Sequence, residues 1–409
     1  MSDAHVVVVG ASLAGTRSVE ALRSHGFEGR ITLIGDEGQL PYDRPPLSKG
    51  LLAGKRTVEQ VRLRQDDGDY ESALGVSLML GRRVSALDVD AHEVVIDGHE
   101  RLGFDGLVIA TGSRARRLPD TDHLPKVHVV RTLDDSLRLR AMLTEGCHVV
   151  VIGAGFIGAE VAATAHGLGC HVTVLEAAAV PLERQLGAPM GAFCATVHAR
   201  HGVELRLGVT VGTVDAAGVM LGDGERIEAD VVVVGVGAAP NTEWLLGSQA
   251  AVADGVLCDA HCRVRSQASG TLERIVAAGD VARWPNALFG EEMRIEHWTN
   301  AAEMAEHAAV TLLADLAGDP SELVPFTPVP YFWSDQYDVK IQFLGRSTGH
   351  DEVRVVDGSE AEGKLVALYR RGDRLIGALG VSRIRQVMSY RSLLAGGASW
   401  DDALAHAAG

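Results

Sequence analysis

No cysteine precedes Cys147, and the whole chain of 409 residues holds five. An odd number of cysteines, thinly spread, does not make a disulfide framework and reads as reduced thiols. The nearest approach to a metal pattern, Cys258-x-x-His261-Cys262, lacks a second pair at finger-like spacing, so no metal site is expected. His198 and His201, three apart beside a glycine, read as the exposed end of a helix. Basic charge is also short: 38 Lys and Arg stand against 54 Asp and Glu, a net charge of −16. That balance argues against nucleic acid or an anionic membrane as the main partner, because either would need an extended basic face. No run approaches the roughly 18 consecutive apolar residues of a membrane span. Nor does Met1-Ser-Asp-Ala-His open a basic-then-apolar leader, so a cytoplasmic protein with no membrane span is expected.

The composition, 46% hydrophobic and 22% charged, is that of a folded globular chain, and the length calls for two or three domains. Its organising stretch is Val149-Val-Val-Ile-Gly153-Ala-Gly155-Phe-Ile-Gly158-Ala-Glu160. An apolar strand runs into a glycine-rich turn and then a helix, which is a dinucleotide fingerprint. Gly153 permits the tight turn, Gly155 lets bare backbone approach a pyrophosphate, and Gly158 lets helix and strand pack closely. A second strand ends at Glu176, placed to accept from a ribose 2′-hydroxyl.

The same pattern stands near the N-terminus as His5-Val-Val-Val-Val-Gly10-Ala-Ser12-Leu-Ala-Gly15, so two nucleotide sites are expected. Ser12 replaces the middle glycine, which the turn tolerates if Ser12 keeps an ordinary φ, and its hydroxyl is then available to phosphate. The next strand ends at Asp36, the expected ribose ligand of the first site. Leu40-Pro-Tyr-Asp-Arg-Pro-Pro-Leu-Ser48-Lys49 is a proline-stiffened segment read as leading into a helix, with Lys49 at its start as partner for a cofactor or a buried acid. Each half closes on an apolar strand ending in small residues, at Thr111-Gly112 and at Gly235-Val-Gly237. Gly279-Asp280 ends a further strand, where the aspartate can accept from sugar hydroxyls while adjacent amides face phosphate. From Pro325 the texture turns to prolines, aromatics and alternation. A third, α+β domain is expected there, with a final helix over 384–394.

Taken together, GASLAG, LPYDRPPLSK, ATGS, VIGAGFIGAE, AAGDVA, EHWTNA and FWSDQYDVKIQFLG resemble the FAD-dependent ferredoxin reductases of bacterial oxygenase systems, over essentially the whole chain and in order. The resemblance implies a glutathione-reductase-like α/β architecture: two Rossmann-like dinucleotide-binding domains plus a C-terminal α+β domain. It divides the chain into an FAD domain at 1–112 and 242–320, an NAD domain at 113–241 and a C-terminal domain at 321–409. It implies FAD contacts from Ala14, Asp36, Lys49, Val84, Arg131, Asp280 and Trp298, with Gly10, Ser12, Gly15, Thr111 and Gly279 in the same site. Gly153, Gly155, Gly158, Glu160 and Glu176 are implied for NADH. It also implies that Lys49 and Glu160 meet as a buried pair beside the flavin, with Trp333 where electrons leave.

The implied reaction is hydride transfer from NADH to FAD, followed by two single-electron transfers to a small iron–sulfur ferredoxin that feeds a cytochrome P450 or ring-hydroxylating dioxygenase. Related flavoproteins that reduce disulfides or peroxides need a cysteine near Ser48 and Lys49, and none lies there. An apoptosis-inducing-factor-like signalling or structural role is the other alternative. Its mammalian members carry targeting segments and long C-terminal insertions, which are missing from this chain. A ferredoxin of this kind is acidic, so docking on a chain of net charge −16 calls for a local basic patch. The candidates are Arg62, Arg64, Lys340, Arg383, Arg385 and Arg391.

Glu176 would repel a 2′-phosphate, so NADH should be preferred over NADPH by roughly tenfold to a hundredfold, softened by nearby Arg184. Steady-state kcat/KM with both nucleotides, for the parent chain and Glu176→Ala, checks this. An unchanged ratio in the variant would remove Glu176 from the 2′-hydroxyl.

Overall fold

The computed structural model describes residues 3–64 and 68–408, so the outermost domain limits expected from sequence, residues 1 and 409, lie outside the described residues. The chain forms two compact units. The first comprises Met1–Asp43, Val61–Arg114 and Ala239–Pro328, and the second Arg44–Gln60, Ala115–Ala238 and Val329–Gly409.

In the first unit a six-stranded sheet runs in the order 263–265, 271–277, 106–109, 5–9, 30–35, 76–80. His5–Val9 is central and pairs in parallel on both sides, Val7 opposite Thr32 and opposite Leu107. All five of its residues are buried, as expected of a parallel strand covered on both faces. The first fingerprint helix, Leu13–Ser24, and the alanine-rich helix Trp298–Ala317 belong to the same core. The latter ends at Gly318, whose φ of 72° supplies the left-handed cap.

The second unit repeats the plan with five parallel strands in the order 204–207, 171–176, 148–152, 231–234, 127–128. It also holds a five-stranded antiparallel sheet, in the order 331–336, 339–345, 374–381, 364–371, 352–359. Helix Glu183–Arg200 packs Leu186, Met190, Phe193 and Val197 against Phe343, Tyr369 and Leu379 of that sheet. Tyr369 donates its hydroxyl to Leu186 O at 2.7 Å, where Gly187 (φ 75°) kinks the helix.

Three expectations are corrected here. Instead of one final helix there are two short ones, Ile384–Met388 and Arg391–Ala395, followed by Trp400–Ala408. Lys49 does not start a helix: it caps the end of a single 3-10 turn, Pro45–Ser48. A lysine at that end no longer opposes the backbone dipoles. Finally, His198 is fully buried. Its Nδ1 lies 2.8 Å from the Tyr337 hydroxyl, and the His201 ring stacks on Tyr337 at 4.0 Å. Three-residue spacing places both histidines on one helix face, and it is the C-terminal hairpin that covers that face.

Burial, with His201 nearby, pushes the His198 pKa down to about 4. The folded state therefore refuses a proton that the unfolded chain accepts below about pH 6.5. Stability should be complete above pH 6.5 and be lost as pH falls toward 4, by about 3 kcal/mol at the lower end. Chemical denaturation across that range should give a shallower acid limb for His198→Asn than for the parent chain. Parallel curves would assign the acid loss to other groups.

Candidate functional site

Both fingerprints fold into the same loop. Gly10 N donates to Ile34 O at 2.8 Å and Gly153 N to Leu175 O at 2.7 Å, which fixes each turn on its neighbouring strand. At Gly10 (φ 119°) a Cβ would lie 2.1 Å from Ala110 O, and at Gly153 (φ 100°) 2.4 Å from Gly235 O. Cβ atoms at Gly15 and Gly158 would fall 1.9 and 2.0 Å from Gly10 O and Gly153 O. These four glycines are demanded by the protein itself. Gly155 differs, because its φ is −75° and a Cβ there meets nothing within 4 Å. The open space lies at the N-terminus of Phe156–Gly167, where free backbone N–H groups favour an anion. Ser12, its counterpart, has φ −134° and makes no capping bond with its side chain, so the serine fits the turn without strain.

The acids differ between the two loops. In the second, Glu176 accepts from Ala154 N at 2.7 Å and Ala178 N at 2.8 Å, which locks its carboxylate beside the glycine turn. By the register of the loop bonds, the position matching Glu176 in the first unit is Gly35, not Asp36. A Cβ at Gly35 would stand 2.6 Å from the Ala11 Cβ, so no acid fits there. The acid comes one residue later, as Asp36, which is exposed.

Around the first loop a Cβ at Gly279 (φ 79°) would touch the Ala14 Cβ at 3.0 Å, so Ala14 and Gly279 are neighbours. Asp280 accepts from Ser113 Oγ at 3.0 Å, Thr111 donates to Asn241 O at 2.8 Å, and Trp298 Nε1 donates to Asp43 at 2.6 Å. Val84 is buried in the small antiparallel sheet of 84–88, 93–96 and 100–103. This arrangement of turn, helix N-terminus and flanking acids suits a dinucleotide. Arg131 and Lys49, implied for the same cofactor, are carried by the second unit. There Arg131 N donates to Asp135 at 3.2 Å, and its carbonyl accepts from Arg44.

Within the second unit Lys49 and Glu160 meet: Nζ lies 3.0 Å from Oε1, with the carboxylate 4% exposed and the lysine 21%. The pair is thus buried on the acid side only. Glu160 has two further donors, Ser334 Oγ at 2.8 Å to the same oxygen and Ser48 Oγ at 2.6 Å to the other. Gln336 Nε2 donates to Ser334 Oγ at 3.2 Å, and Thr164 Oγ1 ties Ser48 O to the helix at 2.8 Å. Asp335 lies 3.8 Å from Lys49 and 2.6 Å from Lys340. Ser48, Ser334, Asp335 and Gln336 were not selected from sequence, although strand alternation over 331–336 could have placed Ser334 and Gln336 together on the buried face. Trp333 is half-buried on the other face and stacks with Tyr331 at 6.0 Å.

No thiol enters this cluster. All five cysteines are free and buried, and burial raises the Cys170 and Cys194 thiols to about 12. The proposed basic patch is partly neutralised from within. Arg64 bonds Glu20 at 2.7 Å, Lys340 bonds Asp335, and Arg383 bonds Asp357 at 2.8 Å. Arg385 remains exposed.

Residues 4–305 match the pyridine nucleotide-disulphide oxidoreductase family model, and residues 331–408 match the reductase C-terminal domain. The chain belongs to the pyridine nucleotide-disulphide oxidoreductase family. It is 38% identical to rhodocoxin reductase of Rhodococcus erythropolis, covering 95% of this chain and 89% of that protein. It is 37% identical to the ferredoxin–NAD(+) reductase component of the anthranilate 1,2-dioxygenase system of Burkholderia cepacia, covering 98% and 96%. Among solved structures it resembles the covalent putidaredoxin reductase–putidaredoxin complex with a TM-score of 0.88 and 35% identity, over 97% of this chain and 94% of that one.

The glycine geometry separates fold from ligand. Gly158→Ala should destabilise the second unit by several kcal/mol, because a backbone oxygen blocks the Cβ. Gly155→Ala should leave Tm nearly unchanged and weaken NADH binding at least several-fold. Thermal melts with NADH titration by fluorescence would check both. A Gly155→Ala protein that binds NADH normally would place the pyrophosphate elsewhere.

Proposed function

We propose that this protein is an NADH-dependent flavoprotein that reduces a small iron–sulfur ferredoxin serving a P450 or ring-hydroxylating oxygenase. The observation that carries the reading is the content of the Lys49–Glu160 cluster. A serine, Ser48, stands beside the lysine, and among the described residues the groups bonded to Glu160 are hydroxyls and an ammonium, with no thiol. Disulfide and peroxide reduction through a thiolate needs a sulfur at the reacting centre, and here that route has none. Bound FAD would supply a carrier that takes two electrons as a hydride and gives them up singly.

The first unit's turn at Gly10–Gly15, with Ala14, Asp36, Val84, Thr111, Gly279, Asp280 and Trp298, is the proposed FAD cradle, to which Lys49 and Arg131 are added by resemblance. The loop Gly153–Gly158 would place the NADH pyrophosphate on its helix N-terminus, and Glu176 would hold the ribose hydroxyl. Lys49 and Glu160 would fix a charge pair at the hydride-transfer centre, and Trp333 would stand on the electron exit. Five unpaired cysteines accord with a cytoplasmic location. Among the described residues no helix is long and apolar enough to cross a membrane. The three-domain division, 1–112 with 242–320, 113–241 and 321–409, is retained as the functional partition.

The test is turnover with excess NADH and added [2Fe–2S] ferredoxins, set against NADH reduction of a small neutral acceptor. Ferredoxin-dependent rates should fall steeply with ionic strength, and more steeply in the parent than in Arg385→Glu, while the small-acceptor rate stays flat. A protein that reduces the small acceptor and no ferredoxin would favour the signalling alternative.

A further inference from the structure

Glu160 is held by more than its lysine. Ser334 and Gln336 are fully buried, Ser48 is 1% exposed, and the two hydroxyls donate to different oxygens of the carboxylate. Gln336 donates to Ser334 Oγ, which leaves the single Ser334 proton directed at Glu160. The Gln336 carbonyl oxygen accepts nothing in return. Rotating the amide would satisfy that oxygen with the Ser334 proton and would strip a donor from the carboxylate. In the observed arrangement each Glu160 oxygen keeps a hydroxyl donor. Lys49 is placed differently. Its ammonium is partly exposed, and it has a second carboxylate, Asp335, at 3.8 Å.

We propose that Ser48, Ser334 and Gln336 are positioning residues that fix Glu160 as a stationary buried charge, and that Lys49 is the moving member, shared between Glu160 and Asp335. If Lys49 turns toward Asp335, Oε1 keeps Ser334 and Oε2 keeps Ser48, so the buried charge is not stranded. In an ordinary buried pair, loss of one partner leaves the other uncompensated. Here the second anchor, supplied by strand 331–336, lessens that penalty. Lys340 closes the chain by holding the other Asp335 oxygen at 2.6 Å. The charges facing Glu160 are thus Lys49 directly and Asp335 through it. This deepens the proposed reaction and rests on it only for its purpose, since the anchoring is a property of the second unit alone.

The experiment uses the full chain with its FAD content verified, as Lys49→Met, Ser334→Ala and the double variant. Each single should lower Tm slightly. The double, in which Oε1 has no donor, should fall by about 2–4 °C more than the sum of the two. Ser334→Thr, which keeps the hydroxyl, should restore additivity. An additive double, or a Lys49→Met protein that already loses as much as the double, overturns the anchoring.

The second measurement is NMR of lysine side chains labelled with 13C and 15N. The chain has only five lysines, at 49, 55, 126, 340 and 364, and the Lys49 signal is assigned by its loss in Lys49→Met. Asp335→Asn should shift the Lys49 and Lys340 signals and leave the other three in place. A Lys49 signal indifferent to Asp335→Asn overturns the sharing. Neither readout involves a ferredoxin, so failure here is distinct from failure of the proposed reaction.

Discussion

Burying the Glu160 carboxylate is the constraint on which the second unit's arrangement turns. A carboxylate removed from water costs several kcal/mol unless it is paired and hydrogen-bonded, and hydrogen bonds to a charged group return about 1.5–3 kcal/mol each. The three donors come from distant parts of the chain. Ser48 and Lys49 lie 112 and 111 residues before Glu160, and Ser334 lies 174 residues after it. One side chain thus ties the Arg44–Gln60 segment and the C-terminal sheet to the fingerprint helix. The contact continues along that helix. Phe156 packs on Phe332 with ring centroids 4.5 Å apart, and His166 meets Tyr337 edge-on at 5.9 Å. An apolar contact, a polar clamp and an aromatic corner follow one another along a single helix–strand seam.

The two fingerprints show how much of this was legible in the sequence. Glycine spacing alone marked both turns, because the Cβ exclusions at Gly10, Gly15, Gly153 and Gly158 are local to strand, turn and helix. Strand alternation in the C-terminal domain is equally plain over residues 331–336, whose burial follows period two, whereas 364–371 and 374–381 are buried through most of their length. What could not be read was anything decided by packing from elsewhere. The burial of His198 depends on Tyr337, 139 residues away. The helix expected after Ser48 does not form, and the segment instead hydrogen-bonds Leu47 O to Ser136 and Ser48 O to Thr164. Lys49 and Glu160 were matched by resemblance, whereas their serine partners carry no signal of their own. Serine is common, and only the fold reveals that two of them point at one carboxylate.

The paired loops also show one backbone plan put to two uses. The first loop accepts a serine where the second keeps Gly155 open, and the first excludes an acid at Gly35 where the second places Glu176. Ala11 blocks residue 35, whereas Ala154 offers its N–H to Glu176 and so draws the acid inward. Repetition of the fold therefore does not imply repetition of the ligand geometry. The acid of each site has to be read from the register of the loop bonds rather than from its distance along the sequence.

That distinction bears on why a family named for disulphide chemistry contains a chain with no thiol at its polar centre. The glycine turns, the parallel sheets and the buried carboxylate are requirements of binding dinucleotides and holding charge, and none of them needs sulfur. Sulfur is needed only where electrons leave as a pair through a covalent bond to a thiol. With Ser48 beside Lys49, that position supplies a hydroxyl that anchors Glu160, so the side chain works on the carboxylate and not as a nucleophile. Without a thiol that covalent route is closed, which is compatible with direct electron transfer to an iron–sulfur acceptor. Ser48 thus closes the thiol route without by itself choosing the acceptor.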